Sequence, residues 1–125
     1  MWFKVRTLKN SIRYAWNGIR YVFRNEQNFR LQVFASFAII LAMMFFQVRA
    51  LEAVALTLVI IAVLVLEIVN TVVEKFIDLL KPRMHHYSGA IKDMMAAAVL
   101  LAAIGAVVIG VLIFYPYVNS TIFGL

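Results

Sequence analysis

Glu67-Ile-Val-Asn70-Thr-Val-Val-Glu74-Lys-Phe-Ile-Asp78 follows directly on an uncharged apolar run, Ala53 to Leu66. On a helix turning ~100° per residue, Glu67, Asn70, Glu74 and Asp78 fall at i, i+3, i+7 and i+11 and form one stripe. The run before them can lie in lipid, so a helix leaves hydrocarbon with three carboxylates and an amide on one face. Ionisable groups near membrane depth are costly and usually functional. The rest of the chain is expected to hold this stripe against a second set of polar groups.

The bulk numbers support that frame. The chain has 125 residues, is 65% hydrophobic and carries a net charge of +6, with a mean hydropathy of +0.93. A soluble domain of this size has too small a core to hide so much apolar surface. The membrane class fits, with room for three spans. Absence of cysteine excludes disulfides, a thiol nucleophile and thiolate metal sites. Met1 to Asn10 is too basic and too weakly apolar for a cleaved signal peptide, so the first apolar run is expected to be a retained span. Lys4, Arg6, Lys9, Arg13, Arg20, Arg24 and Arg30 all precede that run and alternate with Tyr, Trp and Phe in a helical pattern. This suits a helix on an anionic membrane surface rather than a nucleic-acid interface.

The expected architecture is an all-α membrane protein forming a single domain over 1–125. Residues 11–25 read as an amphipathic surface helix, with Ser11 as N-cap, Ile12, Ala15, Trp16, Ile19 and Phe23 on one face, and Arg13, Asn17, Arg20 and Arg24 on the other. Spans are expected at about 31–47, 51–80 and 94–115. The second is too long for a ~30 Å hydrocarbon layer, so its last third projects into the interface, and Pro82 ends it. Lys81 to Lys92 reads as a polar loop, Asp93 as the cap of the third helix, and Tyr115-Pro116-Tyr117 as its stop at the far interface. Lys and Arg distribution puts the N-terminus and the second loop in the cytoplasm, and the first loop and the C-terminus outside.

With that topology Glu26, the 67–78 stripe and Lys92-Asp93 reach one cytoplasmic interface from three helices. Carboxylates there can hold Mg²⁺, which prefers oxygen ligands and substrate phosphates. A lysine beside an aspartate can meet a nucleotide phosphate. Glu67 lies about two turns nearer lipid than Glu74, where it can take a proton from a lipid hydroxyl. Plainer readings stand beside these. Glu67 and Asn70 can be interhelical glue, Glu74 with Lys75 or Asp78 with Lys81 surface ion pairs, and His85 and His86 solvated loop residues. No GxxxxGK[ST] loop occurs.

The pattern E-x-x-N-[ST]-x-x-E-x-x-x-D at Glu67 to Asp78, with Lys92-Asp93-Met-Met-Ala-Ala-Ala-Val99, Gly18-Ile19 and Glu26-Gln-Asn-Phe29-Arg30, resembles the small prokaryotic lipid kinases. These are the integral-membrane diacylglycerol kinases and the undecaprenol kinases. The resemblance covers about residues 10–116. It implies a homotrimer with shared active sites in the bacterial inner membrane, in which ATP with Mg²⁺ phosphorylates a lipid alcohol directly. By position, Glu67 matches the catalytic base and Glu26 and Glu74 the metal ligands. Asn70, Asp78, Lys92 and Asp93 match polar residues around the nucleotide. Tyr14 and Arg83-Met84-His85 fall where nucleotide contacts are made, and Glu67 and Arg30 where the lipid is met. Gln32 departs from the acid that Gram-negative diacylglycerol kinases carry six residues after Glu26, and Arg6 is the nearest candidate for an N-terminal arginine. Glu26-Gln-Asn-Phe-Arg-Leu-Gln32 and Leu112-Ile-Phe-Tyr-Pro116 look more like the undecaprenol kinase branch. A non-enzymatic scaffold or small channel is the competing class. A conduction path needs ionisable residues through the span, and Ala53 to Leu66 has none.

Overall fold

The structure is a computed structural model. It describes residues 2, 4–84 and 86–124; the side chains of residues 81–84 are outside that description. Four helices follow in order: α1 (Val5–Asn25), α2 (Gln27–Phe46), α3 (Ala50–Met84) and α4 (Ser88–Ile122). No strand occurs among the described residues. Three of the helices are long and apolar enough to cross a membrane: Gln27–Phe46, the Ala50–Leu80 part of α3, and Ser88–Ile122.

Each element starts or ends differently from the simplest sequence reading, for a local reason. Helix α1 begins at Val5 rather than at Ser11, because Lys4 supplies the first turn: its carbonyl accepts from the amides of Thr7 and Leu8 at 3.1 and 3.2 Å. Ser11 is therefore interior, and its hydroxyl donates back to the Thr7 carbonyl at 3.0 Å instead of capping. Helix α3 runs two residues past Pro82, because a proline's missing amide removes one bond without melting a turn already built. Asp93 does not cap α4, which starts at Ser88 with Tyr87 at the N-cap, so the polar segment 81–92 is mostly helical. Pro116 does not stop α4 either. It sits within a helix that continues to Ile122, as long apolar helices tolerate.

The corner between α1 and α2 is one residue, Glu26, with extended backbone at φ −118° and ψ 113°. Helix ends leave carbonyls without partners. Here the Arg30 guanidinium donates to the Phe23 and Arg24 carbonyls, both at 2.9 Å, and the Asn25 amide donates to the Tyr21 carbonyl at 2.8 Å. Phe23 packs edge-on against Phe34 across the corner, with ring centroids 6.1 Å apart.

At the opposite end the connection is tight. Gln47 takes a left-handed conformation (φ 49°, ψ 56°) and α3 starts three residues later. Glu52 reaches back to accept the Arg49 amide at 3.1 Å and its guanidinium at 3.3 Å, one half of a capping box. The Tyr117 hydroxyl of α4 donates to the same carboxylate. Phe46 lies between Phe114 and Tyr117, at 6.0 and 6.1 Å. This clasp ties the end of α2, the start of α3 and the end of α4.

Between the two ends α4 packs along α3, and α2 lies beside α3. The buried apolar side chains among the described residues are Val22, Phe29, Leu56 and Ile77. Large apolar groups such as Leu58, Ile61, Leu101 and Val107 are exposed along the spans, and Ile12, Trp16 and Ile19 along α1. Water does not tolerate such surface over contiguous areas, whereas hydrocarbon does. The result is an all-α membrane protein: a surface helix followed by three spans.

Candidate active site

Helix α3 delivers the carboxylate stripe, and what surrounds it divides its members. Glu67 is 3% exposed and lies against α2, where the Gln32 amide donates to its Oε1 at 2.9 Å. One turn on, the buried Thr71 hydroxyl donates to the Glu67 carbonyl at 3.0 Å, so the backbone under the carboxylate is also fixed. Asn70 donates to Glu74 Oε1 at 3.4 Å; both side chains are half-buried. Asp78, further out, is exposed and forms an ion pair with Lys92 of α4 at 3.3 Å. Asp78 thus has a partner on the neighbouring helix; the Lys81 side chain lies outside the described residues.

Glu67, Asn70 and Glu74 line one cavity of about 410 Å³ with Asn28 and Gln32 of α2 and Ala96, Val99 and Ala103 of α4. Small side chains on α4 leave the space. A second cavity, of about 480 Å³, continues along the spans and is walled by Ile39, Leu56, Val59, Ile60, Val63 and Phe114, among others. Gln32 and Ala103 belong to both. The two volumes are in the range of small-molecule sites. One is polar at its interfacial end, and the other is almost wholly apolar. Glu67 stands near their junction.

Glu26 is half-buried at the α1–α2 corner. It and Glu74 lie close enough to Glu67 to act on its charge. The cavity brings Glu67, Asn70 and Glu74 together, with the Asp78–Lys92 pair further along α3; Glu26 stands at the neighbouring α1–α2 corner and is not among the residues lining it. Asp93 is exposed on α4 next to Lys92. Tyr14 is 66% exposed on α1 and does not line the cavity. The Arg30 guanidinium is occupied by the end of α1. Arg83 and Met84 lie in the last turn of α3 with side chains outside the described residues, and His85 lies outside them altogether.

Two residues matter here beyond the expected set. Thr71 is in the quoted stripe but on its flank, where spacing alone does not single it out. Gln32 is an uncharged polar group within the apolar α2, and polar residues inside a span usually face a partner. That signal was present in the sequence.

Among the described residues no three or more His, Asp or Glu side chains form a closed metal cage. Two half-buried carboxylates, Glu26 and Glu74, have the chemistry for a Mg²⁺ that takes one or two protein carboxylates and completes its shell with phosphate and water. Chemically the arrangement offers a deep carboxylate facing an apolar channel, and shallower carboxylates and a lysine facing the interface.

The chain is similar to known proteins over most of its length. The family model for prokaryotic diacylglycerol kinase matches residues 13–114. A diacylglycerol kinase of Synechocystis is 38% identical over 116 residues, spanning 92% of this chain and 66% of that protein. The diacylglycerol kinase of Escherichia coli K12 is 35% identical over 95 residues, 76% of this chain and 78% of that protein. An undecaprenol kinase of Bacillus subtilis is 32% identical over 103 residues, 82% of this chain and 84% of that protein. The match runs from α1 through the carboxylate stripe into the third span as far as residue 114, and the chain belongs to the prokaryotic diacylglycerol kinase family of lipid kinases.

Proposed function

We propose that this protein transfers the γ-phosphoryl group of ATP to the hydroxyl of a membrane lipid alcohol, with undecaprenol as the favoured acceptor. The observation that carries the reading is the position of Glu67. It is a buried carboxylate at the junction of a polar interfacial cavity and an apolar one within the spans. An amphiphilic alcohol has the matching shape, with its chain along the apolar cavity and its hydroxyl at Glu67.

Phosphoryl transfer demands positioning and charge stabilisation more than covalent chemistry. Glu67 accepts the hydroxyl proton as the lipid oxygen attacks the γ-phosphorus and the bond to ADP breaks. Glu26 and Glu74 would hold Mg²⁺, which neutralises charge on the phosphates when bound. Asn70 orients Glu74 through their hydrogen bond. Lys92, anchored by Asp78, is placed to meet phosphate charge at the rim, with Asp93 beside it. Tyr14, Arg83, Met84 and His85 are assigned to the nucleotide and Arg30 to the lipid on the family resemblance.

Gln32 and the Leu112 to Pro116 ending support undecaprenol. A second reading, diacylglycerol as acceptor, is favoured by the names of the relatives with 38% and 35% identity. We further assign the chain to the bacterial inner membrane, with the N-terminus cytoplasmic and the C-terminus outside. The working form is a homotrimer: Gly105 and Gly110 of α4 face open space within one chain, and small residues let helices of neighbouring copies approach closely. The test is purified protein in mixed micelles with ATP, Mg²⁺ and each alcohol separately. Undecaprenyl phosphate forming faster than phosphatidic acid supports the first reading, the reverse order supports the second, and no lipid phosphate from either removes both.

A further inference from the structure

Gln32 presents two groups to the site and only one is used. Its Nε2 donates to Glu67 Oε1 at 2.9 Å. Its own Oε1 is buried and has no partner among the described residues. A buried acceptor left unpaired is costly and rare enough to call for an explanation. The position of the amide is also particular, since Gln32 borders both the polar and the apolar cavity. Its backbone is fixed by the Ser36 hydroxyl, which donates to the Gln32 carbonyl at 2.6 Å.

An amide and a carboxylic acid are complementary as a pair. The amide N–H donates to one acid oxygen, and the acid O–H donates to the amide oxygen. The structure contains half of that ring. The missing half needs a proton on Glu67, the same proton that the proposed reaction delivers. We propose that Gln32 is a positioning residue for Glu67 that pairs with its protonated form. The amide holds the ionised carboxylate through one hydrogen bond, and accepts a second when the lipid O–H has given its proton to Glu67 Oε2.

The proposal rests on the kinase reading for its place in catalysis, and the step balances. The lipid O–H bond breaks and its proton goes to Glu67, while the lipid oxygen bonds the γ-phosphorus and the bond to ADP breaks. The charged groups facing Glu67 are Glu26 from the α1–α2 corner and Glu74 from α3. The α4 residues on the cavity, Ala96, Val99, Leu100 and Ala103, carry no charge. Gln32 is therefore the neutral partner through which the proton on Glu67 can be stabilised without adding a like charge.

The test uses the full chain in lipid micelles, comparing wild type with Gln32→Met, which keeps volume and removes both polar groups. Infrared spectra are recorded as the sample is acidified, and the Glu67 carboxylic-acid band is identified by its loss in Glu67→Gln. Pairing with the amide keeps that C=O band at low frequency in wild type, and Gln32→Met moves it to the higher frequency of an unbonded acid. In the assay, Gln32→Met lowers kcat about tenfold, the loss of one hydrogen bond to the reacting carboxyl, with KM for MgATP unchanged. An unmoved band overturns the pairing, and a moved band with wild-type kcat overturns its role in turnover. If wild type phosphorylates neither alcohol, the kinase reading falls while the infrared comparison still decides the pairing.

Discussion

Replacing Glu67 with glutamine removes the carboxylate proposed as proton acceptor and changes little else. The side chain is 3% exposed and its Oε1 accepts from Gln32 at 2.9 Å. A glutamine in its place retains an acceptor for the same amide and nearly the same volume. The folding cost is then within about 1 kcal/mol, the range of one neutral hydrogen bond exchanged for another. The catalytic cost is much larger. A positioned general base contributes roughly 10² to 10⁴ in rate, or about 2.7 to 5.5 kcal/mol at 1.36 kcal/mol per factor of ten. The expected variant is folded, binds MgATP with unchanged apparent affinity, and turns over at least about a hundredfold more slowly. Initial rates in mixed micelles at varied ATP, together with a thermal unfolding midpoint, separate the two costs. Turnover within threefold of wild type in a folded sample would refute the assignment of Glu67 as base.

Glu74→Gln is expected to lower apparent Mg²⁺ or ATP affinity together with turnover, and ATP titrations at fixed Mg²⁺ read this directly; equal effects on both parameters in the Glu67 and Glu74 variants contradict the division between them. The Asp78–Lys92 pair is half-exposed, at 57% and 40%, so breaking it changes stability by no more than about 0.5 kcal/mol. Lys92→Met nevertheless raises KM for ATP about tenfold by removing a phosphate-facing charge, while Asp78→Asn has a smaller effect, and a chemical-melt and kinetic comparison of the two variants checks the order. Tyr117→Phe deletes the hydroxyl that joins α4 to Glu52 at the far end of the spans and lowers the thermal midpoint with kcat unchanged; a fall in kcat without a fall in the midpoint contradicts a purely structural clasp.

The spans and the stripe were legible because their signals are long. Uncharged, mostly apolar runs of fourteen residues or more and four polar groups at helical spacing survive any local uncertainty. The ends were not, because helix boundaries turn on single contacts. Ser11 has the chemistry of a cap, but the backbone of Lys4 begins the helix earlier. Pro82 and Pro116 are strong local breakers, yet both lie inside helices whose remaining bonds hold. Asp78 also meets Lys92, a partner that only the packing of α4 on α3 brings near and that helix spacing does not reveal. Glu67, Asn70, Glu74 and Asp78 could be ranked by depth along α3. Gln32 stood out as a polar residue within α2, but its pairing with Glu67, 35 residues later, depends on the packing of α2 against α3.

In the proposed reaction a phosphoryl group passes from ATP to a lipid hydroxyl at Glu67. Its most direct measurement follows γ-labelled ATP, with Mg²⁺ and a lipid alcohol, in vesicles holding the purified wild-type chain. Label recovered in the lipid fraction, and entering it at least about a hundredfold more slowly with Glu67→Gln, is the predicted result. Label found only as inorganic phosphate, or left on ATP with every alcohol supplied, contradicts the account.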